Sequence, residues 1–249
     1  PELLDWLSTE LVESGWSMKA MHRLLVTSDT YRLASSGTAA DVASRQQDPE
    51  NRLLWRMNPR RMEAEAVRDA TLHVAGRLQS QRFGPDIDPN LGMTLARRSI
   101  YFRNSKEKKM TFLSLFDSPN VVECYRRSES VAPQQALAMA NSGLTLDQSR
   151  LLARELSQQV GSDNQPEVVQ RFVQAAFARI LCRPPTTAEQ EQCQGFIAEQ
   201  SRRLADVKSL VPFAGGSDST VKAATDPHSR ARENLVLVLF NHNDFVTIR

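Results

Sequence analysis

The residues most able to do chemistry in this chain are charged and fall into two groups. The first lies within residues 51–78, NRLLWRMNPRRMEAEAVRDATLHVAGRL, where Arg61, Glu65, Arg68, Asp69 and His73 follow at short steps. The second is Arg98, Arg103 and Arg126, farther along the chain. On a helix, residues three and four apart are neighbours, so Arg61–Glu65, Glu65–Arg68 and Asp69–His73 are expected pairs. Three outcomes compete for this ionic face. It is ordinary solvated surface, or a partly buried network fixing neighbouring segments, or a place where Asp69 orients His73 for proton transfer. In an enzyme, Arg61, Glu65, Asp69, Arg98, Arg103 and Arg126 would converge as the site of a hydrolase acting on anionic polymers.

Other chemistries have less behind them. The sequence holds no G-x-S-x-G, H-E-x-x-H, P-loop or dinucleotide fingerprint. Four histidines are scattered: His22, His73, His228 and His242. His22 is expected to be a satisfied structural side chain. His242, among Asn241, Asn243 and Asp244, is either a metal ligand or helix-end capping. Cys124, Cys182 and Cys193 have no zinc, thioredoxin or haem spacing, and are expected to be small apolar residues. No cofactor and no metal site is therefore expected within this chain. The segment Arg97–Lys109 carries six positive charges and one negative around Tyr101 and Phe102. That pattern suits weak binding of a single-stranded nucleic acid, with a solvated strand and turn as the alternative. The net charge of +2 gives no global case for a nucleic-acid partner.

The elements that must position these residues are mostly helical. Asn58 reads as an N-cap and Pro59 as the first helical residue of a helix running toward Leu78. Met62, Ala66, Ala70 and Val74, with Val67 and Leu78 beside them, would form its apolar stripe. This helix is expected to be the hub against which the N-terminal and C-terminal helices pack. Leu53, Leu54, Trp55 and Met57 precede it as a patch plugging the core. Upstream, Pro1–Glu13 reads as a helix with Leu3, Leu4, Leu7, Leu11 and Val12 on one face. Ser17 caps a second, Met18–Thr27, and Ser35–Gln47 is a loop. The stretch Gln79–Leu95 is a loop, Met110–Phe116 a helix. Ser99–Arg103 and Val121–Arg126 form a short antiparallel ribbon. From Pro133 on the chain is helical. Its helices cover Gln134–Ala140, Leu144–Val160, a stretch opened by Pro166, Ala188–Leu204 behind a Thr186-x-x-Glu189 capping box, and Arg230–Phe240. The fold class is mainly α with one short antiparallel β-ribbon near the middle. It is expected as a single domain over 1–249, with core 1–205 and 228–249 and a surface insertion at 206–227. No run is apolar enough to span a membrane; the longest, Leu235–Phe240, is far too short.

Several long phrases resemble one family. They are PELLDWLSTELVESGWSMKAMHRLLVTSDTYRLAS at 1–35, DPENRLLWRMNPRRMEAEAVRDA at 48–70, RRSIYFR at 97–103 and LFDSPNVVECYRRSESVAPQQALAMANS at 115–142. LCRPPTTAE at 181–189 and LVLVLFNHNDF at 235–245 complete the set. Together they are similar to the planctomycete-specific PSD domain, a domain of unknown function. The resemblance implies a C-terminal piece of a larger, exported protein. Cytochrome-c-like regions would lie elsewhere in that parent and hold any haem. It carries over no catalytic residue. The expected function is accordingly a non-catalytic interaction or scaffolding module, with the other domains of the parent as partners. The hydrolase and the nucleic-acid binder stand as alternatives.

Overall fold

The structure is a computed structural model that describes residues 1–35, 42–123, 127, 130–210 and 219–248. Its regular structure is mainly α-helical, with one two-stranded antiparallel sheet. The chain divides into two compact units, one made of residues 1–60 with 247–249 and the other of residues 61–246.

The first unit holds helices α1 (Glu2–Glu13), α2 (Met18–Thr27) and α3 (Val42–Gln47). Ser17 caps α2 by accepting from the Ala20 N–H at 3.2 Å, as its position ahead of the helix predicts. The helix α3 falls inside the stretch read as loop, because a six-residue helix carries too little apolar period to be seen. None of α1 is buried, and Met21 alone is buried in α2. Leu3, Leu4, Trp6 and Val12 stay exposed. The Leu53–Met57 patch is no core plug either. Leu53 and Leu54 are exposed, and the segment is held by polar side chains. Both carboxylate oxygens of Asp48 accept backbone N–H groups, from Arg52 at 2.9 Å and Leu53 at 2.7 Å. The Trp55 indole donates to the Asp48 carbonyl at 2.8 Å. Asn51, buried and at φ 56°, donates to the Arg56 carbonyl and to the Asn58 side chain.

Asn58 is therefore a loop partner and not a helix cap. The next residues are extended: β1 (Arg60–Arg61) pairs with β2 (Thr247–Ile248) to make the one ribbon. The expected strand at Ser99–Arg103 does not form, and the described part of the one expected at Val121–Arg126 is not extended into a ribbon. Ser99–Tyr101 is a 3-10 turn, Val121 and Val122 lie in a bend, and 124–126 are outside the described residues.

The second unit contains α4 (Ala64–Val74), α5 (Thr111–Leu115), α6 (Pro133–Asn141), α7 (Gly143–Val160), α8 (Pro166–Ile180), α9 (Thr187–Ala205), α10 (Pro227–Phe240) and α11 (Asn243–Val246). Their signals are local and strong. Proline opens α6, α8 and α10. Ser142 both closes α6 and caps α7, and Thr186 with Glu189 forms the expected capping box of α9. The inward face of α8 is Val168, Val169, Phe172, Val173, Ala176, Phe177 and Ile180, all buried.

The hub of this unit is α10, not α4. Helix α10 packs along α9 and α7 and also meets α6, α8 and α11, whereas α4 packs chiefly on α5, the Ser99–Tyr101 turn and α7. Ala231, Leu235, Val236, Leu239 and Phe240 of α10 join the core from several sides. A helix enclosed this way must also bury polar residues, and His228, Arg232 and Glu233 are all buried. Arg232 is satisfied as a loop staple. It donates to the carbonyls of Gly161 at 2.7 Å and Asp163 at 2.8 Å, to Ser157 Oγ at 3.0 Å and to His228 Nε2 at 3.1 Å. Glu233 accepts from Arg154 at 3.0 Å and from the Ala224 N–H at 2.9 Å. Asp147 of α7 collects Ser219, Thr220 and Val221. Residues 219–224 are thus tied down, although the sequence there reads as flexible. No helix among the described residues is long and apolar enough to cross a membrane.

Two measurements check this arrangement. Leu235→Ala should cost roughly 2–5 kcal/mol in urea unfolding, as a cavity in the hub, while Leu3→Ala should shift stability by less than about 0.5 kcal/mol. The second concerns Glu189, which Arg183 clamps through two bonds of 2.9 and 2.6 Å. That pairing holds its carboxyl down at about 2, from an ordinary 4.5. The stabilisation is complete above 4.5 and is lost as pH falls toward 2. Glu189→Gln should therefore narrow the gap in urea midpoint between about pH 5 and about pH 3. An unchanged gap would show that the clamp contributes nothing.

Candidate functional site

The site begins with one buried cation. Helix α4 starts at Ala64 behind the ribbon, so its inward face is Ala64, Val67, Arg68, Thr71 and Leu72. The expected stripe of Met62, Ala66, Ala70 and Val74 sits to the side, half-buried or exposed. The Arg68 guanidinium lies wholly inside the protein. Its Nε and Nη2 donate to the Gly92 carbonyl at 3.0 and 2.8 Å, and Nη2 also reaches the Leu95 carbonyl. Nη1 donates to the Arg97 carbonyl at 2.8 Å and to Ser99 Oγ at 3.2 Å. The Phe102 ring lies 4.8 Å from the guanidinium carbon. Burial pulls the Arg68 group down to about 10, with Asp69 opposing, so it stays charged at neutral pH. Gly92 lets the chain pass this closely, since a Cβ there would meet the Met110 side chain.

Asp69 holds the same loop from the next position. Its carboxylate accepts from the Ser99 N–H at 2.8 Å and Ser99 Oγ at 2.6 Å, and lies 3.4 Å from Arg68 and 3.8 Å from Arg98. None of the three local pairs expected along α4 forms. Glu65 pairs instead with Arg127, at 2.9 and 3.4 Å, and Glu63 lies 3.8 Å from the same guanidinium. These bonds raise the Arg127 group above its ordinary value. Between α4 and the pinned loop lies a cleft of about 650 Å³. Glu63, Glu65, Asp69 and His73 line one side of it, Arg98, Arg103, Lys109 and Arg127 bring the positive charge, and Phe102, Met110 and Leu113 are among its apolar residues.

Of the residues singled out by sequence, Glu65, Asp69, Arg98 and Arg103 meet in this cleft, and Arg68 supports its wall. Arg61 lies in β1 and does not line it. Arg126 is outside the described residues. Its neighbour Arg127, in the same YRRSES phrase, occupies the cleft, so the phrase pointed to the right place one residue away. His73, which helical spacing set beside Asp69, and Lys109, the last residue of the basic Arg97–Lys109 segment, line the cleft as well, together with Glu63. Arg103 is partly neutralised by Asp86, whose carboxyl it holds below the usual range. The two aromatic rings of the basic segment are covered by guanidinium groups: Arg97 lies 4.2 Å over Tyr101, and Arg68 over Phe102.

The remaining candidates are dispersed. His22 is exposed and not a satisfied core residue. His242 Nδ1 accepts from the Asp244 N–H at 3.1 Å, which is capping of the short helix α11. Among the described residues, no group of three His, Cys, Asp or Glu could hold a metal ion. Cys182 is exposed and Cys193 half-buried, both free; burial pushes the Cys193 thiol up. Cys124 is outside the described residues.

A family model described as PSD1, protein of unknown function (DUF1553), matches residues 1–197. The chain belongs to this family. The match takes in α4, the pinned loop and Arg127, so the whole cleft is PSD1 sequence. It ends within α9, before the hub helix α10. No curated protein matches, and no solved structure does.

The cleft wall yields a sharp stability test. Arg68→Ala strips the Gly92, Leu95 and Arg97 carbonyls of their donor and should cost roughly 3–5 kcal/mol in chemical denaturation. Arg61→Ala should cost about 0–1 kcal/mol. Equal losses for the two variants would contradict the staple described for Arg68.

Proposed function

We propose that this PSD1 chain is a non-catalytic interaction module, and that the cleft beside α4 is its recognition surface. The observation behind this reading is the engagement of the cleft's carboxylates. General acid–base work needs a carboxyl or imidazole free to meet a substrate proton. Glu65 is held by Arg127, and Asp69 by Ser99 and Arg68. His73 lines the cleft but donates no hydrogen bond to Asp69 that would orient it. Such a cleft offers shape, charge and apolar surface, with Glu65 and Asp69 committed to other partners. The resemblance to the planctomycete PSD domain adds the setting. The parent would be an exported protein with cytochrome-c-like regions, and its neighbouring domains would be the partners.

One observation favours a second reading, a hydrolase of anionic polymers: carboxylates and arginines do share one cleft. Nucleic-acid binding is disfavoured, since Tyr101 and Phe102 are covered and cannot stack on bases.

A single set of variants separates the readings. Immobilised chain should retain the neighbouring domains of the parent, and Glu65→Gln with Asp69→Asn should weaken that retention by loosening the cleft walls. A screen of phosphodiester, sulfate-ester and polyuronate substrates should give no turnover. Turnover that disappears in both amide variants would overturn the module reading in favour of the hydrolase.

A further inference from the structure

Resting on the module reading, we infer that the cleft takes an acidic chain segment, with a carboxylate side chain set next to an apolar one. The charges in the cleft are unevenly partnered. Two of the three carboxylates are held: Arg127 bonds Glu65, and Ser99 with Arg68 holds Asp69, while Glu63, 57% exposed, has only a 3.8 Å approach to Arg127. The basic side is less fully held. Arg103 has Asp86 as a counter-ion. Arg98 has only a 3.8 Å approach to Asp69, which is already held by two other residues, and its side chain is 59% exposed. Lys109, exposed on the same cleft, has no ion pair among the described residues.

Among the described residues the cleft thus presents two weakly partnered cations, Arg98 and Lys109, against one weakly partnered carboxylate, Glu63. A cationic partner would find Glu63 alone, whereas an anionic one meets Arg98 and Lys109 without displacing a short ion pair. Apolar residues of α5 and the turn, Leu113, Met110, Phe102 and Ile100, line the same space. A purely ionic ligand would leave that surface wet. A segment alternating acidic and apolar side chains uses both, and about 650 Å³ is within the usual size of a site for a compact ligand. The rim cations then set salt dependence and encounter rate, and the apolar lining sets residence.

The probe is the fluorescein-labelled peptide Asp-Leu-Glu-Phe-Asp, read by fluorescence anisotropy against the amide peptide Asn-Leu-Gln-Phe-Asn and the basic peptide Lys-Leu-Lys-Phe-Lys. The acidic peptide should saturate the protein, with affinity falling as salt rises, and the other two should not. Arg98→Gln combined with Lys109→Gln should weaken the acidic peptide by about tenfold, because both exposed cations that would pair with it are then neutral. Both residues are exposed, and an unchanged melting curve verifies that the variant folds. Equal binding of the amide peptide, or full affinity in the double variant, would overturn the inference. The same variant separates this inference from the module reading. If it still retains the parent's domains, the ligand class is wrong and the module stands. If the acidic peptide binds but those domains do not, the cleft's chemistry stands and the module's partner is wrong.

Discussion

A cation with no access to water organises the part of the larger unit around α4. Removing a guanidinium from solvent is costly unless each donor finds an acceptor. Arg68 meets that demand with the carbonyls of Gly92, Leu95 and Arg97 and the hydroxyl of Ser99, while the adjacent Asp69 supplies the opposite charge. Between Gln79 and Ser99 the chain has little regular structure, though short backbone links such as Gln79 to Ala96 and Ile87 to Tyr101 close it on itself. Helix α4 reaches across to hold residues 92–99 of it. A lysine could not substitute, because one ammonium cannot face three divergent carbonyls from a single stem. The cleft opens beside this staple, between α4 and the chain that follows the loop from Arg98 to Leu113.

The same device recurs at the hub. Arg232 is buried and ties down the carbonyls of Gly161 and Asp163 after α7, with the Phe172 ring 4.8 Å away. Here His228 takes part as an acceptor through Nε2, and burial beside Arg232 lowers its proton affinity. Both arginines sit over an aromatic face, which receives a weakly hydrated planar cation better than an aliphatic wall would. In each case a helix fixes an irregular segment by donating to its carbonyls.

Much of the helical framework was legible in the sequence because its signals are local. Pro166 with the Val168–Ile180 period, Ser142 between two helices, and Thr186 with Glu189 each state their own geometry within a few residues. What escaped depends on distant partners. Asn58-Pro59 has the chemistry of a helix start, but Asn51 claims the Asn58 side chain and Arg60–Arg61 pair with Thr247–Ile248. The buried face of α4 was misplaced for a related reason. It includes Arg68 and Thr71, and a count of apolar residues passes over both. The candidate site was partly legible. Glu65 and Asp69 share a helical face by spacing alone, yet nothing local shows that Arg98, Arg103 and Arg127 come to it. The hub was missed although Leu235–Phe240 is the longest apolar run of the sequence, because the burial of His228, Arg232 and Glu233 on the same helix depends on distant partners.

The smallest element in the fold has the widest span. The Met62 N–H donates to the Val246 carbonyl at 2.9 Å, so the larger unit ends where it begins. A compact body whose entry and exit strands adjoin is topologically an insertion, carried by the chain that runs into it at residue 61 and leaves it at 246. Such a body tolerates being cut and rejoined, since a short link from 246 to 62 replaces a bond already made. It also folds under a particular order of events. Closing so long a loop carries an entropic cost that the bond itself cannot offset, so the helices around α10 must assemble before the ribbon can register.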